Sequence, residues 1–280
     1  MSASDVEPRA SGHSALGAWL APLTSGAAQI VWTPDGVRLM AGPSDAGSYS
    51  NAQLDDYRAL RARDLPWRPP LRLRLRARAS HAGWPASVGA APSAESGAFL
   101  NGTAGFGFWN GAPSITGGLI RAPESIWFFS ASPPSNMALT PGLPGYGWKA
   151  QIVHAERPGA LAAVPPLAAS AVWANLSGDE RLAARWLNRL AGAREALLTP
   201  AADLRDWRAY EIEWRADAVH FLVDGVEVLL ASHPPRGPLG FVAWTDNQYA
   251  IATPRGRLRF GAQAINEQWL ELADVSVQPL

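Results

Sequence analysis

YEIEWRADAVHFLVDGVEV, residues 210–228, decides how the rest of the chain is read. It divides into two or three short strands. One turn falls at Arg215-Ala216-Asp217 and another at Asp224-Gly225. Asp-Gly between apolar runs is a strong hairpin signal, because both central residues of the tight turn need positive φ. Further strands lie on either side. GPLGFVAWTDNQ (237–248) and QWLELADVSVQ (268–278) supply two, and AAQIVWTPDGVRLMAG (27–42) supplies two more around Pro34-Asp35-Gly36. LRLRLRARAS (71–80) has period two, with Leu71, Leu73, Leu75, Ala77 and Ala79 on one face and Arg72, Arg74, Arg76 and Arg78 on the other. Such an arginine row could bind phosphate. The chain's zero net charge, 24 basic against 24 acidic residues, favours a solvated or carboxylate-paired face instead.

The composition agrees with an all-β protein. Of 280 residues, 26 are glycine and 24 proline, which suits many turns, and 13 are tryptophan, which suits a Trp-rich core or an aromatic-lined surface. There is no cysteine, so disulfides and cysteine–zinc sites are excluded. The five histidines are scattered, without metal-ligand spacing, and no metal site is expected. The glycines of GTAGFGFWNGAP (102–113) do not fit a dinucleotide fingerprint, and no cofactor is called for. The charge balance points away from nucleic acid, and no apolar run is long enough to span a membrane. The N-terminal segment has no basic region leading into an apolar core, which sets a cytoplasmic location as the expectation. Oligomeric state is not legible.

One segment departs from the β pattern. Ser177-Gly178-Asp179-Glu180 is a capping box, and Leu182, Trp186, Leu190, Ala193 and Leu197 follow at helical spacing up to Thr199-Pro200. The expectation is one amphipathic helix near 178–198, inside an insertion of about 160–205. It could serve as an edge cover, a lid or an assembly contact. Residues 1–15 read as a flexible N-terminus and 16–280 as one domain.

Several of these stretches, taken in order, resemble the concanavalin A-like lectin/glucanase superfamily, and within it the family 16 glycoside hydrolase-like proteins. The residues that carry the resemblance are YEIEWRADAVHFLVDGVEV, WLELADVSV (269–277), DGVRLMAG (35–42) with SYSNAQL (48–54), and GTAGFGFWN (102–110). The resemblance implies a two-sheet antiparallel jelly roll with a sugar cleft on its concave sheet. It also implies an E-x-D-x-E or E-x-D-x-x-E triad on the strand after the G-F-W strand. Here that strand is ESIWFFSASPP (124–134). The three acid positions fall on Ser125, Trp127 and then Phe129 or Ser130, with Glu124 the nearest carboxylate and one residue out of phase. An unorthodox acid pair of Glu124 with Asp246 is the alternative catalytic reading. The resemblance further implies a structural calcium held by an aspartate of the last strand, and Ala273-Asp274 leaves its register open.

The functional expectation is a protein that binds carbohydrate, or another more apolar small molecule, in an aromatic-lined cleft. Trp109, Trp127, Phe129 and Trp244 would contact the ligand, and Asn110, Ser130, Asp246, Asn247 and Gln248 would orient it. A divergent enzyme in the same cleft, and an interaction role through the 178–198 helix, are the competing readings.

Overall fold

The computed structural model describes residues 16, 18–85, 97–111, 115–116, 119–120, 123–136, 140, 143–154, 192–198, 203–252 and 258–280. In chain order the strands are β1 (Ala21–Ser25), β2 (Gln29–Thr33), β3 (Gly36–Ala41), β4 (Asn51–Asp55), β5 (Leu71–Ala79) and β6 (Thr103–Trp109). There follow β7 (Ile115–Thr116), β8 (Leu119–Ile120), β9 (Ser125–Ala131), β10 (Gly147–His154), β11 (Gly192–Leu197) and β12 (Arg208–Trp214). The last six are β13 (Ala218–Val223), β14 (Val226–Ser232), β15 (Gly240–Asp246), β16 (Gln248–Ala252), β17 (Leu258–Ala262) and β18 (Gln268–Pro279).

Two seven-stranded sheets result. Sheet A has the order β1-β4-β15-β6-β9-β10-β11, and sheet B the order β14-β13-β12-β5-β18-β3-β2. Pairing between neighbours is antiparallel throughout. The sheets pack face to face over one continuous apolar core, in which Phe106, Phe108, Phe128 and Phe241 of sheet A meet Tyr210, Ile212, Trp214 and Phe221 of sheet B. Phe128 is fully buried there and meets Phe221 edge to face at 5.3 Å between ring centroids.

The hairpin that anchors this reading is built as its sequence requires. Asp224 and Gly225 both take left-handed φ, 51° and 79°, so the turn matches the twist of β13 and β14. Strand β5 alternates as its period implies, with every leucine and alanine buried against the core. Its arginines are carboxylate-paired across the strands. Arg72 lies opposite Glu213, Arg74 opposite Glu211, and Arg78 opposite Glu271. Trp207 and Trp269 lie under the guanidinium groups of Arg76, Arg78 and Arg38. A phosphate site on this face has no unpaired arginine to draw on along β5.

The expected helix near 178–198 is corrected where it can be seen. Residues 192–197 form β11, the edge strand of sheet A, paired to β10 from Lys149↔Leu197 to His154↔Gly192. Gly-Ala-Arg-Glu-Ala-Leu has helical composition, but its two-residue alternation puts Glu195 opposite Gln151, and pairing to a sheet edge overrides weak local propensity. Residues 155–191 lie outside the described residues, as do 1–15. No described helix is long and apolar enough to cross a membrane.

Candidate functional site

Side chains on β9 alternate between two environments. Ile126 and Phe128 enter the inter-sheet core, whereas Trp127, Phe129 and Ala131 stand on the opposite, outer face of sheet A. The strand therefore divides its three consecutive aromatics between the two faces. Partners in register share a face, so the outer face can be followed across the sheet in rows. One row runs Asp55, Val242, Gly107, Trp127, Gln151, Glu195 from β4 to β11. The next runs Gln53, Trp244, Gly105, Phe129, Lys149, Leu197.

These rows gather a second, smaller apolar cluster of Phe129, Ala131, Val242 and Trp244, flanked by Tyr57, Trp109 and Trp127. Trp127 stacks on Trp109 at 5.8 Å and on Phe129 at 5.7 Å, and meets Trp244 at 5.2 Å. The Trp127 indole is thus stacked between two neighbouring rings. Glycines make room for this layer. A Cβ on Gly105 would come within 2.8 Å of the Trp244 ring, and one on Gly240 within 2.5 to 2.8 Å of Tyr57. Polar groups hold the rings in place. Trp109 Nε1 donates to Tyr57 Oη at 2.6 Å, and Trp127 Nε1 donates to Gln151 Oε1 at 2.7 Å. Burial pushes the Tyr57 hydroxyl up to about 12, so it stays protonated.

Beyond Trp127 the row ends in a buried ion pair. Glu195 Oε2 accepts from Lys149 Nζ at 2.9 Å and from Gln151 Nε2 at 3.1 Å, and its Oε1 accepts from the Thr140 amide at 2.9 Å. Both charged side chains are nearly inaccessible, at 2% and 0% exposure. At such depth the pair holds only because each charge has the other and further hydrogen bonds.

The structure brings together four of the sequence-derived residues, Trp109, Trp127, Phe129 and Trp244. Asp246 stands on the same face two residues beyond Trp244, joined to it through Thr103 Oγ1, and the other four lie apart from the layer. Ser130 is a correction, because it is paired with Trp148 and Ala104 on the inner face and cannot reach the outer one. Asn247 is fully buried, its Nδ2 donating to the carbonyls of Ser48 and Gln263 and its Oδ1 accepting from the Ser50 amide. It fixes a corner and has no capacity left for a ligand. Asn110 Oδ1 accepts from the Glu124 amide at the end of β6, and Gln248 is exposed at the start of the β16–β17 hairpin. Asp246 is buried and accepts from the Thr103 amide, Thr103 Oγ1, the Gln248 amide and Tyr49 Oη. Burial pushes its carboxyl up to about 6 against the pull of these donors.

The Glu124–Asp246 acid pair is not formed. Asp246 is opposite Thr103 at one end of β6, and Ser125 is opposite Trp109 at the other, six residues or ~20 Å along the strand. Glu124 instead meets His154 Nδ1 at 2.9 Å, at the start of β9 and the end of β10, away from Asp246. The remaining outer-face acids are far apart too. Asp55 lies four residues, ~13 Å, from Asp246 along the strands and five strand spacings, ~24 Å, from Glu195. Asp56 points the other way, accepting from Trp67 Nε1 and the Phe241 amide. Two-carboxylate glycoside hydrolysis needs separations of ~5 to 9.5 Å. No such pair faces across this surface among the described residues. Nor do three His, Cys, Asp or Glu side chains gather to hold a metal among them; Asp274, the calcium candidate, pairs with Arg76 on sheet B.

Gln53, Tyr57, Lys149, Gln151 and Glu195 escaped the sequence reading. Trp127 and its register were a usable signal for Gln151, but Glu195 was hidden within an apparent helix.

The two face-to-face antiparallel seven-stranded sheets make this an all-β sandwich, the fold class expected from the sequence. No family model matches the sequence, and no curated protein matches it. Among solved structures, the chain is similar to a lichenase derived from a mouse hindgut metagenome, at 13% identity and TM-score 0.46, over 90% of this chain and 83% of that one. It is also similar to the catalytic domain of a laminarinase from Thermotoga petrophila, at 10% identity and TM-score 0.45, over 89% and 79%. The Bacillus licheniformis β-glucanase gives 11% and 0.45, over 90% and 80%.

Proposed function

We propose that the protein binds carbohydrate on the outer face of sheet A and does not cleave it. The observation that carries this is the occupancy of β9. Ser125, Trp127 and Phe129 stand where the sequence resemblance puts three acids, and the rings join Trp109 and Trp244 in one aromatic layer. Gln53, Tyr57, Trp109 and Trp127 are the half-buried members of that layer and its border, so they are the groups a ligand meets. An aromatic patch with a few convergent donors and acceptors suits a sugar, whose apolar C–H faces alternate with hydroxyls. An apolar small molecule is the second reading, favoured by the dry flank of Val242 and Phe129.

Calorimetric titration with oligosaccharides from laminarin, lichenan, agarose and xyloglucan tests the proposal, alongside a reducing-end assay. At least one should bind, with no new reducing ends released. Trp109→Ala should weaken it by up to about tenfold, the equivalent of an aromatic contact of ~0.5 to 1.5 kcal/mol. Binding of none, or release of reducing ends from any, overturns the proposal.

A further inference from the structure

Two polar atoms at the border of the aromatic layer keep unused hydrogen-bonding capacity, and both are held in a fixed orientation. Tyr57 Oη accepts from Trp109 Nε1 at 2.6 Å and, at a longer 3.4 Å, from Gln53 Nε2. A phenol hydroxyl has a proton to give as well as lone pairs to receive. Among the described residues nothing accepts that proton, and burial, which pushes the hydroxyl up to about 12, keeps it in place. The Gln53 amide presents the wrong end to take it. Its Nε2 donates to Asp55 Oδ2 at 2.9 Å, which turns the NH2 toward Asp55 and Tyr57 and leaves Oε1 without a donor among the described residues. Asp55 is itself fixed. It is fully buried and accepts from the Arg58 amide and from Arg58 Nη2, both at 3.1 Å. The Tyr57 ring rests on Gly240, where a Cβ would come within 2.5 Å, and meets Trp109 edge to face at 6.3 Å. Gln53 and Tyr57 are only half-buried, so a ligand reaches them.

We infer that the Tyr57 hydroxyl and Gln53 Oε1 together read one hydroxyl of the ligand, so that the site takes uncharged sugars in preference to uronates. The inference rests on the carbohydrate-binding reading. The span between the two atoms suits one bridging oxygen. Amide O and N are about 2.2 Å apart, so Oε1 lies within ~5.6 Å of Tyr57 Oη. Two hydrogen bonds of ~2.8 Å to a single hydroxyl cover that distance. A sugar hydroxyl accepts from Tyr57 and donates to Gln53 with the same oxygen. A carboxylate can accept from Tyr57 but has no proton for Gln53 Oε1, so two acceptor oxygens would face each other unpaired. Arg58 beside them is already paired with Asp55 and with the carbonyls of Ala21 and Pro22, so it supplies no surplus charge to hold an anion there. A site built to match a hydroxyl on both sides rejects a group that matches it on one.

Calorimetric titration of the parent protein with hexasaccharides from laminarin, lichenan and xyloglucan, and with hexagalacturonate beside them, is the first test. The tightest neutral hexasaccharide should bind at least about tenfold more tightly than hexagalacturonate. Tyr57→Phe, which keeps the ring on Gly240, and Gln53→Met, which keeps the bond from Trp109 to Tyr57, should each weaken that binding by about fivefold or more. Single-deoxy derivatives of the same hexasaccharide then separate contact from mere support. At one position, loss of the hydroxyl should weaken binding to the parent and make no difference to Tyr57→Phe, a coupling that a displaced Trp109 would not produce. Binding of hexagalacturonate as tight as that of the neutral sugars, or deoxy losses that persist in full in Tyr57→Phe, would overturn the inference and leave carbohydrate binding standing. Binding of none of the four would overturn the carbohydrate reading and the inference with it.

Discussion

The phase of β9 makes opposite demands on two adjacent aromatics, Trp127 and Phe128. Phe128 is 0% exposed, enclosed by Phe106, Trp148, Tyr210 and Phe221. Truncation to alanine leaves a sealed cavity between the sheets, and the expected loss is about 3 to 5 kcal/mol. Trp127 is half-buried on the outer face. Its removal opens a gap that water can enter, and water can replace its Nε1–H at Gln151. What is lost is the contact with Trp109, Phe129 and Trp244, while Phe129 and Trp244 keep each other. Three such contacts at ~0.5 to 1.5 kcal/mol each set an upper range of about 1.5 to 4.5 kcal/mol. The water-accessible gap and the rings that re-pack on each other hold the expected loss to its lower half, below that of Phe128→Ala. Urea unfolding followed by circular dichroism separates the two variants, as does a melting-temperature drop on the order of 10 °C for Phe128→Ala. If Trp127→Ala proves the less stable of the pair, the assignment of the two faces is wrong, and the aromatic site with it.

Three further outcomes follow from other parts of the molecule. Asp246, raised by burial to about 6, gives stability that is complete below its unfolded value and is lost as the pH rises through 6. About two pH units at 1.36 kcal/mol each amount to ~3 kcal/mol. Asp246→Asn keeps an oxygen for the three donors at Oδ1 and offers its amide to Tyr49 Oη, so it should gain on the parent between pH 4.5 and 7.5 in urea midpoints. Asp56, which burial pushes up to about 7, tilts the parent's own profile the same way. Lys149→Met strands the Glu195 carboxylate and should destabilise by about 3 to 5 kcal/mol, whereas Lys149→Met with Glu195→Leu should recover most of that loss by chemical denaturation. Gly240→Ala displaces the Tyr57 ring and breaks its bond from Trp109 Nε1, which a shifted Trp109 indole resonance and weaker ligand binding would report.

How far the sequence carried this reading depended on the range of the interaction involved. The Asp224-Gly225 turn, the β5 alternation and the split of Trp127 from Phe128 are local, set by turn chemistry and a two-residue period. Register within β9 is equally local, yet it left the third acid position open between Phe129 and Ser130, and only pairing with β6 and β10 puts Ser130 inside. Asn247 and Asp246 look like ligand-orienting polar residues in sequence. Their saturation by Ser48, Gln263, Thr103 and Tyr49 depends on chain brought from far away. The Lys149–Glu195 pair was the least legible feature. Its partners are 46 residues apart, and Gly192–Leu197 has a composition that a helix or an edge strand could use equally well.

Crystals soaked with the tightest-binding oligosaccharide of the panel test the central claim most directly. Sugar density is expected against Trp109 and the exposed edge of Trp127, bordered by Gln53 and Tyr57, with every glycosidic bond intact. Density elsewhere on the protein, or a cleaved sugar on the outer face of sheet A, would contradict it.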